Sequence, residues 1–252
     1  MENKKEKTKI DIILPNYNSS KFVIKTISSI FKQTYKNWKL IIVDDFSDTE
    51  TKNILKKISK KKKIKVFFLN KNRGAGFCRN FAIKKSKSPY LAFIDSDDFW
   101  LPDKLDKQTK FMEENNFDFT FCNYEKIIST KKKIKVKSSK PTLSYIDLLK
   151  SNEIGLSTVQ LSKTIILDEL FPPLKTKEDY VAWLKITKNN TYAHNFPYNL
   201  VKWNKTNGSL SSDYFQKISD GLRVFREYEK FNFLKSLYYL FILSINSIKR
   251  KI

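Results

Sequence analysis

Cysteine, glycine and arginine are scarce in this chain of 252 residues, and each scarcity removes a class of protein. Cys78 and Cys122 stand alone, without the spacing of a metal site, and fit a reducing cytoplasm. Asn-x-Ser/Thr triplets then carry no meaning. With five glycines in all, the only candidate dinucleotide loop is Gly74-Ala75-Gly76. It lacks the third glycine of that fingerprint and follows the wrong strand. Five Arg stand against 44 Lys within a formal net charge of +23. Nucleic-acid readers lean on Arg for bidentate contacts, so no nucleic-acid partner is expected. The lysines reflect the bias of an AT-rich genome and sit in loop-like runs such as 60–63 and 131–133. A general pull toward acidic phospholipid stays open. No apolar run reaches the ~20 residues of a membrane span. Residues 1–9 are charged, and the apolar stretch 10–15 is interrupted by Asp11, so no secretory signal is expected.

What is present is ample core material, 40% hydrophobic and 14% aromatic residues, enough for one sizeable domain with an appendage. Short apolar runs predict strands at 10–14, 40–43, 66–69 and 91–94, and at 117–124, where Phe117, Phe119 and Phe121 alternate. Between them, helical periodicity covers 20–31, 49–60, 76–85 and 103–115. Such alternation means βαβ units: an α/β fold with a mainly parallel sheet flanked by helices. After residue 124 the pattern changes to an exposed hairpin (126–140), a short helix (143–149), a strand (155–161) and a helix (178–188). A segment at 192–203 reads as extended with a break at Pro197. From residue 213 the chain is helical and aromatic. The expected division is 1–205 as one domain and 206–252 as a lid segment and C-terminal helical tail, with membrane association of the tail open.

The chemistry gathers at strand ends. The run Leu91-Ala-Phe-Ile94 stops in Asp95-Ser96-Asp97-Asp98. In open α/β sheets ligands sit beyond the carboxyl ends of the strands. Carboxylates massed there repel one another unless a cation that also binds phosphate joins them. A helix cap explains one Asp near Pro102, not three. The first strand ends in Pro15-Asn16-Tyr17-Asn18 and the second in Asp44-Asp45-Phe-Ser47-Asp48. The third is followed by Asn70-Lys-Asn72-Arg73-Gly74-Ala-Gly76-Phe-Cys-Arg79-Asn80. Further on, Lys177-Glu178-Asp179 opens a helix.

Together, in this order and spacing, these motifs closely resemble the family 2 glycosyltransferases, whose fold is GT-A (Rossmann-like). The resemblance covers roughly residues 9–105 well and extends more loosely to 210. It implies an inverting transfer of sugar from a nucleotide-diphosphate sugar, typically a UDP-sugar, to a hydroxyl of a glycan or glycolipid acceptor. The setting would be the synthesis of a cell-surface lipopolysaccharide or exopolysaccharide. By the same resemblance, Pro15 and Tyr17 line base and ribose, and Asp45, with Asp44 a second candidate, accepts the uracil N3 hydrogen. Gly74 and Arg79 lie near the diphosphate. Asp95 and Ser96 face the ribose and diphosphate, and Asp97 is the ligand of a divalent cation, Mn2+ or Mg2+. Asp98 is left as a cap. Asp179 takes the acceptor proton. As a carboxylate at a helix N-terminus it is expected to be a weak base with a lowered pKa, relying on positioning.

Residues 202–211, with Lys202 and Lys205, resemble the family's mobile segment, and Gly208 would let it hinge. His194, the single histidine, is expected to be structural rather than a further metal ligand. Trp100, Trp183 and Trp203 are candidates to stack on an acceptor sugar. The Gln-x-x-Arg-Trp element and the membrane spans of processive members are absent, which points to single addition. The aromatic, basic tail from 231 leaves three settings open: a membrane interface, docking on the catalytic domain, or a homodimer. The expected location is cytoplasmic, with peripheral attachment to the inner face of the cytoplasmic membrane open. Two other classes compete. A nucleotidyltransferase would carry a Gly-rich basic loop where Pro15-Asn-Tyr-Asn stands. A non-catalytic basic scaffold on membrane or nucleic acid would bind no UDP with metal.

Overall fold

The computed structural model describes residues 8–129, 132–204 and 214–249, with the side chain of Tyr214 excepted. The fold follows from strands that are apolar on both faces. Every residue of β1 (Ile10–Asn16) is buried, and so is every residue of β2 (Trp38–Asp44) except Lys39. Side chains alternate across a strand, so Ile10, Ile12, Leu14, Leu40 and Ile42 enter one core while Ile13, Ile41 and Val43 enter the other. The first core is covered by α1 (Val23–Phe31), α2 (Thr49–Ser59) and α4 (Lys104–Asn115), through Val23, Ile27, Ile30, Leu55 and Leu105. The second takes Cys78 and Ala82 of α3 (Ala75–Lys85), Leu148 and Leu149 of α5 (Tyr145–Lys150), and Tyr180–Leu184 with Ile186 of α6 (Glu178–Thr187).

The strands β3 (Ile64–Phe68), β2, β1 and β4 (Tyr90–Phe93) lie in that order, all parallel. The order turns back at β1, where the chain crosses to β4 on the far side. That switch point is where an open α/β sheet forms its cleft. Beyond β4 the sheet is mixed. Antiparallel β9 (Gln160–Ser162) joins β4 to β6 (Phe119–Ile127), and β10 (Ala193–Asn204) runs parallel to β6. Short β5 (Phe99–Trp100) closes that edge against β10, while β7 (Lys133–Val136) and β8 (Thr142–Leu143) pair with β6 and β10.

The sequence pattern errs in two places. The predicted strand at 155–161 is a 3-10 turn, Leu156–Thr158, followed by the short β9. Pro197 does not break the extended segment, because β10 carries irregularities against β6 between Phe196 and Asn199 and again between Asn199 and Val201. Proline is tolerated in a strand at such bulges. The helical tail, α7 (Tyr214–Arg223), a π-helical turn (Val224–Tyr228) and α8 (Phe233–Lys249), is no loose appendage. Val224, Phe225 and Leu243 enter the same core as α6. Of the three settings left open for the tail, docking on the catalytic domain is the one observed.

Candidate active site

Four strand ends and one helix start converge on the carboxyl rim. At the end of β1, the Asn16 side chain donates to Asp44 Oδ1 (2.8 Å) and accepts from the Ser19 hydroxyl. Asp44 also accepts the Ser47 hydroxyl (2.6 Å) and has no exposed surface. It therefore braces the β1 and β2 ends. Nor does Asp44 or Asp45 cap α2; that cap is Asp48, which accepts the Thr51 amide.

Asp45 is buried as well, yet its oxygens reach across to the next loop. Oδ1 accepts the Arg73 amide and Oδ2 the Gly74 amide, each at 2.7 Å. The carboxylate thus fixes the loop that leads into α3. Gly74 sits at φ +85°, in the region that favours glycine, with open space where a Cβ would be. Pro15 is buried in the strand, whereas Tyr17 is half exposed beside this rim.

The loop after β4 is held by partners that the sequence did not single out. The Asp95 amide donates to the Ser157 hydroxyl (3.0 Å), and Thr26 donates to the Ser96 carbonyl (2.8 Å). Asp98 is fully buried. It accepts the Ser157 hydroxyl (2.5 Å) and the Asn204 amide (3.1 Å), while the Asn204 side chain donates to the Asp97 carbonyl (2.8 Å). Burial, with Asp95 and Asp97 beside it, pushes the Asp98 carboxyl well above the usual range. Asp98 is therefore a fastener between the loop, the 3-10 turn and the end of β10, not the helix cap expected of it. The N-cap of α4 is Asp103. Asp95 and Asp97 keep part of their surface open.

Arg79 joins this loop to the Glu178-Asp179 pair. Its guanidinium is buried and donates to Asp95 Oδ1 (2.8 Å) and Glu178 Oε1 (2.6 Å). Arg79 thus links the β4 loop to the start of α6 from inside the protein. Asp179 lies next to it at the first turn of α6. Burial and the neighbouring Glu178 raise its pKa to about 7, against the lowering pull of Arg79 and of the Tyr180 amide it accepts. The weak base expected from the helix N-terminus is thus corrected: desolvation and like charge outweigh the helix end.

The remaining candidates separate. His194 stacks on Phe117 (3.5 Å between centroids) near the start of β10. It stands ten residues, roughly 30 Å of strand, from Asn204 at the Asp97 loop. Trp183 and Trp100 are buried, the latter donating to the Ser157 carbonyl (2.8 Å), so neither is available to a sugar; Trp203 is half-buried. Lys202 lies in β10, while Lys205 and Gly208 fall outside the described residues.

The donor set fits a small divalent cation. Asp97, with Asp95 beside it, offers hard carboxylate oxygens on a partly open loop, and Mg2+ or Mn2+ commonly takes one or two protein carboxylates and completes its shell with phosphate and water. Among the described residues no three His, Cys, Asp or Glu side chains are grouped to hold a metal ion.

A parallel sheet with a carboxylate loop after β4 and a second carboxylate pair facing it is the architecture of a GT-A glycosyltransferase. Residues 11–171 match the sequence model of Glycosyl transferase family 2, and the chain belongs to that family. It is 31% identical over 245 residues to the putative teichuronic acid biosynthesis glycosyltransferase TuaG of Bacillus subtilis (strain 168), covering 96% of this chain and 97% of that one. It is 35% identical over 242 residues to the UDP-Glc:alpha-D-GlcNAc-diphosphoundecaprenol beta-1,3-glucosyltransferase WfgD of Escherichia coli, covering 96% and 94%. Among solved structures, S. aureus TarS 1-349 in complex with UDP-GlcNAc superposes with a TM-score of 0.72 at 24% identity, over 87% of this chain and 65% of that one. The mannosyltransferase PcManGT of Pyrobaculum calidifontis, in complex with GDP-Man and Mn2+, gives 0.70 at 14% identity, over 97% and 74%. These two likenesses establish the fold.

Proposed function

We propose that this glycosyltransferase moves a sugar from a UDP-sugar to a hydroxyl of a polyprenol-diphosphate-linked glycan, with inversion at the anomeric carbon, in the assembly of a cell-surface polysaccharide. The observation that carries the reading is the Asp95–Arg79–Glu178 link. It sets a carboxylate of raised pKa, Asp179, beside the partly open carboxylates of the β4 loop. The activities for which TuaG and WfgD are named, each matched nearly end to end, support the surface-glycan setting and the lipid-linked acceptor.

In this reading Asp45 and the loop it pins, with Pro15 and Tyr17, receive the nucleoside, and Gly74, Asp95 and Ser96 lie along the ribose and diphosphate. Asp97 would hold Mn2+ or Mg2+, which when bound supplies positive charge to the departing diphosphate. The acceptor hydroxyl gives its proton to an Asp179 oxygen as its own oxygen attacks the anomeric carbon. The bond from that carbon to the phosphate oxygen breaks on the opposite face, and its electron pair leaves with UDP. A carboxylate near pH 7 in pKa is matched to that task. The work takes place at the cytoplasmic face of the membrane; among the described residues no helix is long and apolar enough to cross it.

The test is a donor panel assayed for UDP release with Mn2+ and with chelator. Asp97→Asn is expected to abolish the metal-dependent release. Asp179→Asn is expected to bind donor yet lower transfer to a lipid-linked acceptor by about 10²–10⁴-fold, the usual share of a positioned base. Near-wild-type transfer by either variant removes that residue from its role, and a retained anomeric configuration in the product removes the single displacement.

A further inference from the structure

Helix α8 is already docked, and its other side is apolar too. Ser236 and Leu243 are buried, Tyr239 and Leu240 pack on the core, and the Asn246 side chain donates to the Lys150 carbonyl (3.0 Å). On the outer side Leu234, Leu237, Tyr238, Phe241 and Ile248 are each between 40% and 78% exposed. At 3.6 residues per turn these five fall within an arc of about 100°. A helix that is apolar all round is normally covered on every side, and among the described residues nothing covers this stripe. One border is cationic: Lys249 and Lys235 lie beside it on the Tyr238 side, and Lys230 precedes the helix, all exposed. The sequence has no Asp or Glu after Glu229.

Charge decides the occupant. A second copy of this chain would bring another +23 molecule, and an equally acid-free stripe, face to face with the first. An anionic lipid surface offers both partners at once, an acyl boundary for the stripe and phosphates for the lysines. We propose that the outer face of α8 lies in the interface of an anionic phospholipid membrane, parallel to its plane. The 17 residues span about 25 Å.

The seating reaches the active site through rigid contacts. A Cβ at Gly221 of α7 would stand 2.8 Å from Leu240 Cδ1 of α8, so the two helices touch. On α7, Asp220 accepts both the amide and the hydroxyl of Thr176 at 2.9 Å, three residues before Asp179. Glu229, which caps the π-helical turn, binds Lys188 just past α6 (2.9 Å) and Tyr145 of α5. A membrane under α8 therefore fixes the height of the acceptor base above the lipid. That purpose rests on the lipid-linked acceptor proposed above; the membrane contact itself does not.

Flotation of the full chain with vesicles tests the contact. The protein is expected to float with phosphatidylglycerol–phosphatidylcholine vesicles and far less with phosphatidylcholine alone. The pair Leu234→Asp and Phe241→Asp is expected to lower binding by about tenfold or more, since two exposed anchors are lost. Lys235→Glu with Lys249→Glu should weaken binding only to the anionic vesicles. Should the aspartate pair prove unfolded by circular dichroism, Tyr238→Trp gives an independent reading: the emission of that variant shifts to the blue on adding anionic vesicles. Wild-type protein that stays unbound overturns the proposal, as does an emission of the Tyr238→Trp variant that is indifferent to lipid. A dimer that the aspartate pair dissolves, in protein that ignores vesicles, overturns it too. UDP release is measured without vesicles, so a chain that floats but cleaves no donor keeps the membrane face and loses the transferase chemistry.

Discussion

Arg79 is the residue on which the site's charge balance turns. Its guanidinium compensates Asp95 and Glu178 from within the protein and holds Asp179 below the pKa that burial alone would give. Arg79→Met leaves two carboxylates without their cation. The expected cost is about 3 kcal/mol of unfolding free energy, the lower end for a broken buried pair because Asp95 keeps a third of its side chain in water. Denaturant unfolding measures it. The same variant shifts catalysis in a defined direction. Asp179 must be ionised to act, so wild-type kcat/KM should rise with pH through about 7. Removing the positive charge raises that pKa, and the acidic limb moves to higher pH. This link is invisible in sequence, because its partners lie 16 and 99 residues away. For Asp44 and Asp45, the resemblance ranked Asp45 first but did not show what each carboxylate touches. Adjacent strand residues face opposite ways, and only the folded chain shows that Asn16 and Ser47 close over one while the other reaches the Gly74 loop.

At the scale of the element, α3 packs so closely at Gly76 that a side chain there has no room. A Cβ on Gly76 would lie 2.8 Å from the Pro172 carbonyl oxygen, and backbone does not yield as a flexible side chain does. Gly76→Ala is expected to cost about 1–3 kcal/mol in denaturant unfolding. It should also weaken UDP binding, because α3 carries both Gly74 at its cap and Arg79 in its body. Elements with a clear period were legible: the four parallel strands follow from apolar runs and α1, α2 and α4 from 3.6-residue spacing, whereas α3 carries no distinct apolar face. The segments beyond residue 124 were less so. β10 tolerates Pro197 through irregular pairing with β6, and β9 is only three residues long between two antiparallel partners. Both owe their existence to neighbours in the sheet rather than to a local pattern.

The whole molecule carries +23 on 252 residues, a self-repulsion that the folded state concentrates. Screening should relieve it. The melting temperature is expected to rise as sodium chloride is raised from low to near-molar ionic strength, where the Debye length falls to about 3 Å. A constant or falling value would show that the lysines are dispersed enough not to matter. The general location of the site was legible at this scale, since strand-end carboxylates at a switch point need only topology to bring them together. The fasteners Ser157 and Asn204 were not, being ordinary polar residues within segments read as a strand (155–161) and as a mobile segment (202–211). Asn204 also makes the molecule its own indicator. Of the four tryptophans, Trp38, Trp100 and Trp183 are buried in the cores, and only Trp203 borders water. It is bonded through the backbone to the residue that clasps the Asp97 carbonyl and the Asp98 carboxylate. Loading the β4 loop with UDP and Mn2+ should therefore change the protein's fluorescence without any label, and Trp203→Phe should silence most of that change while leaving the affinity measured by calorimetry intact.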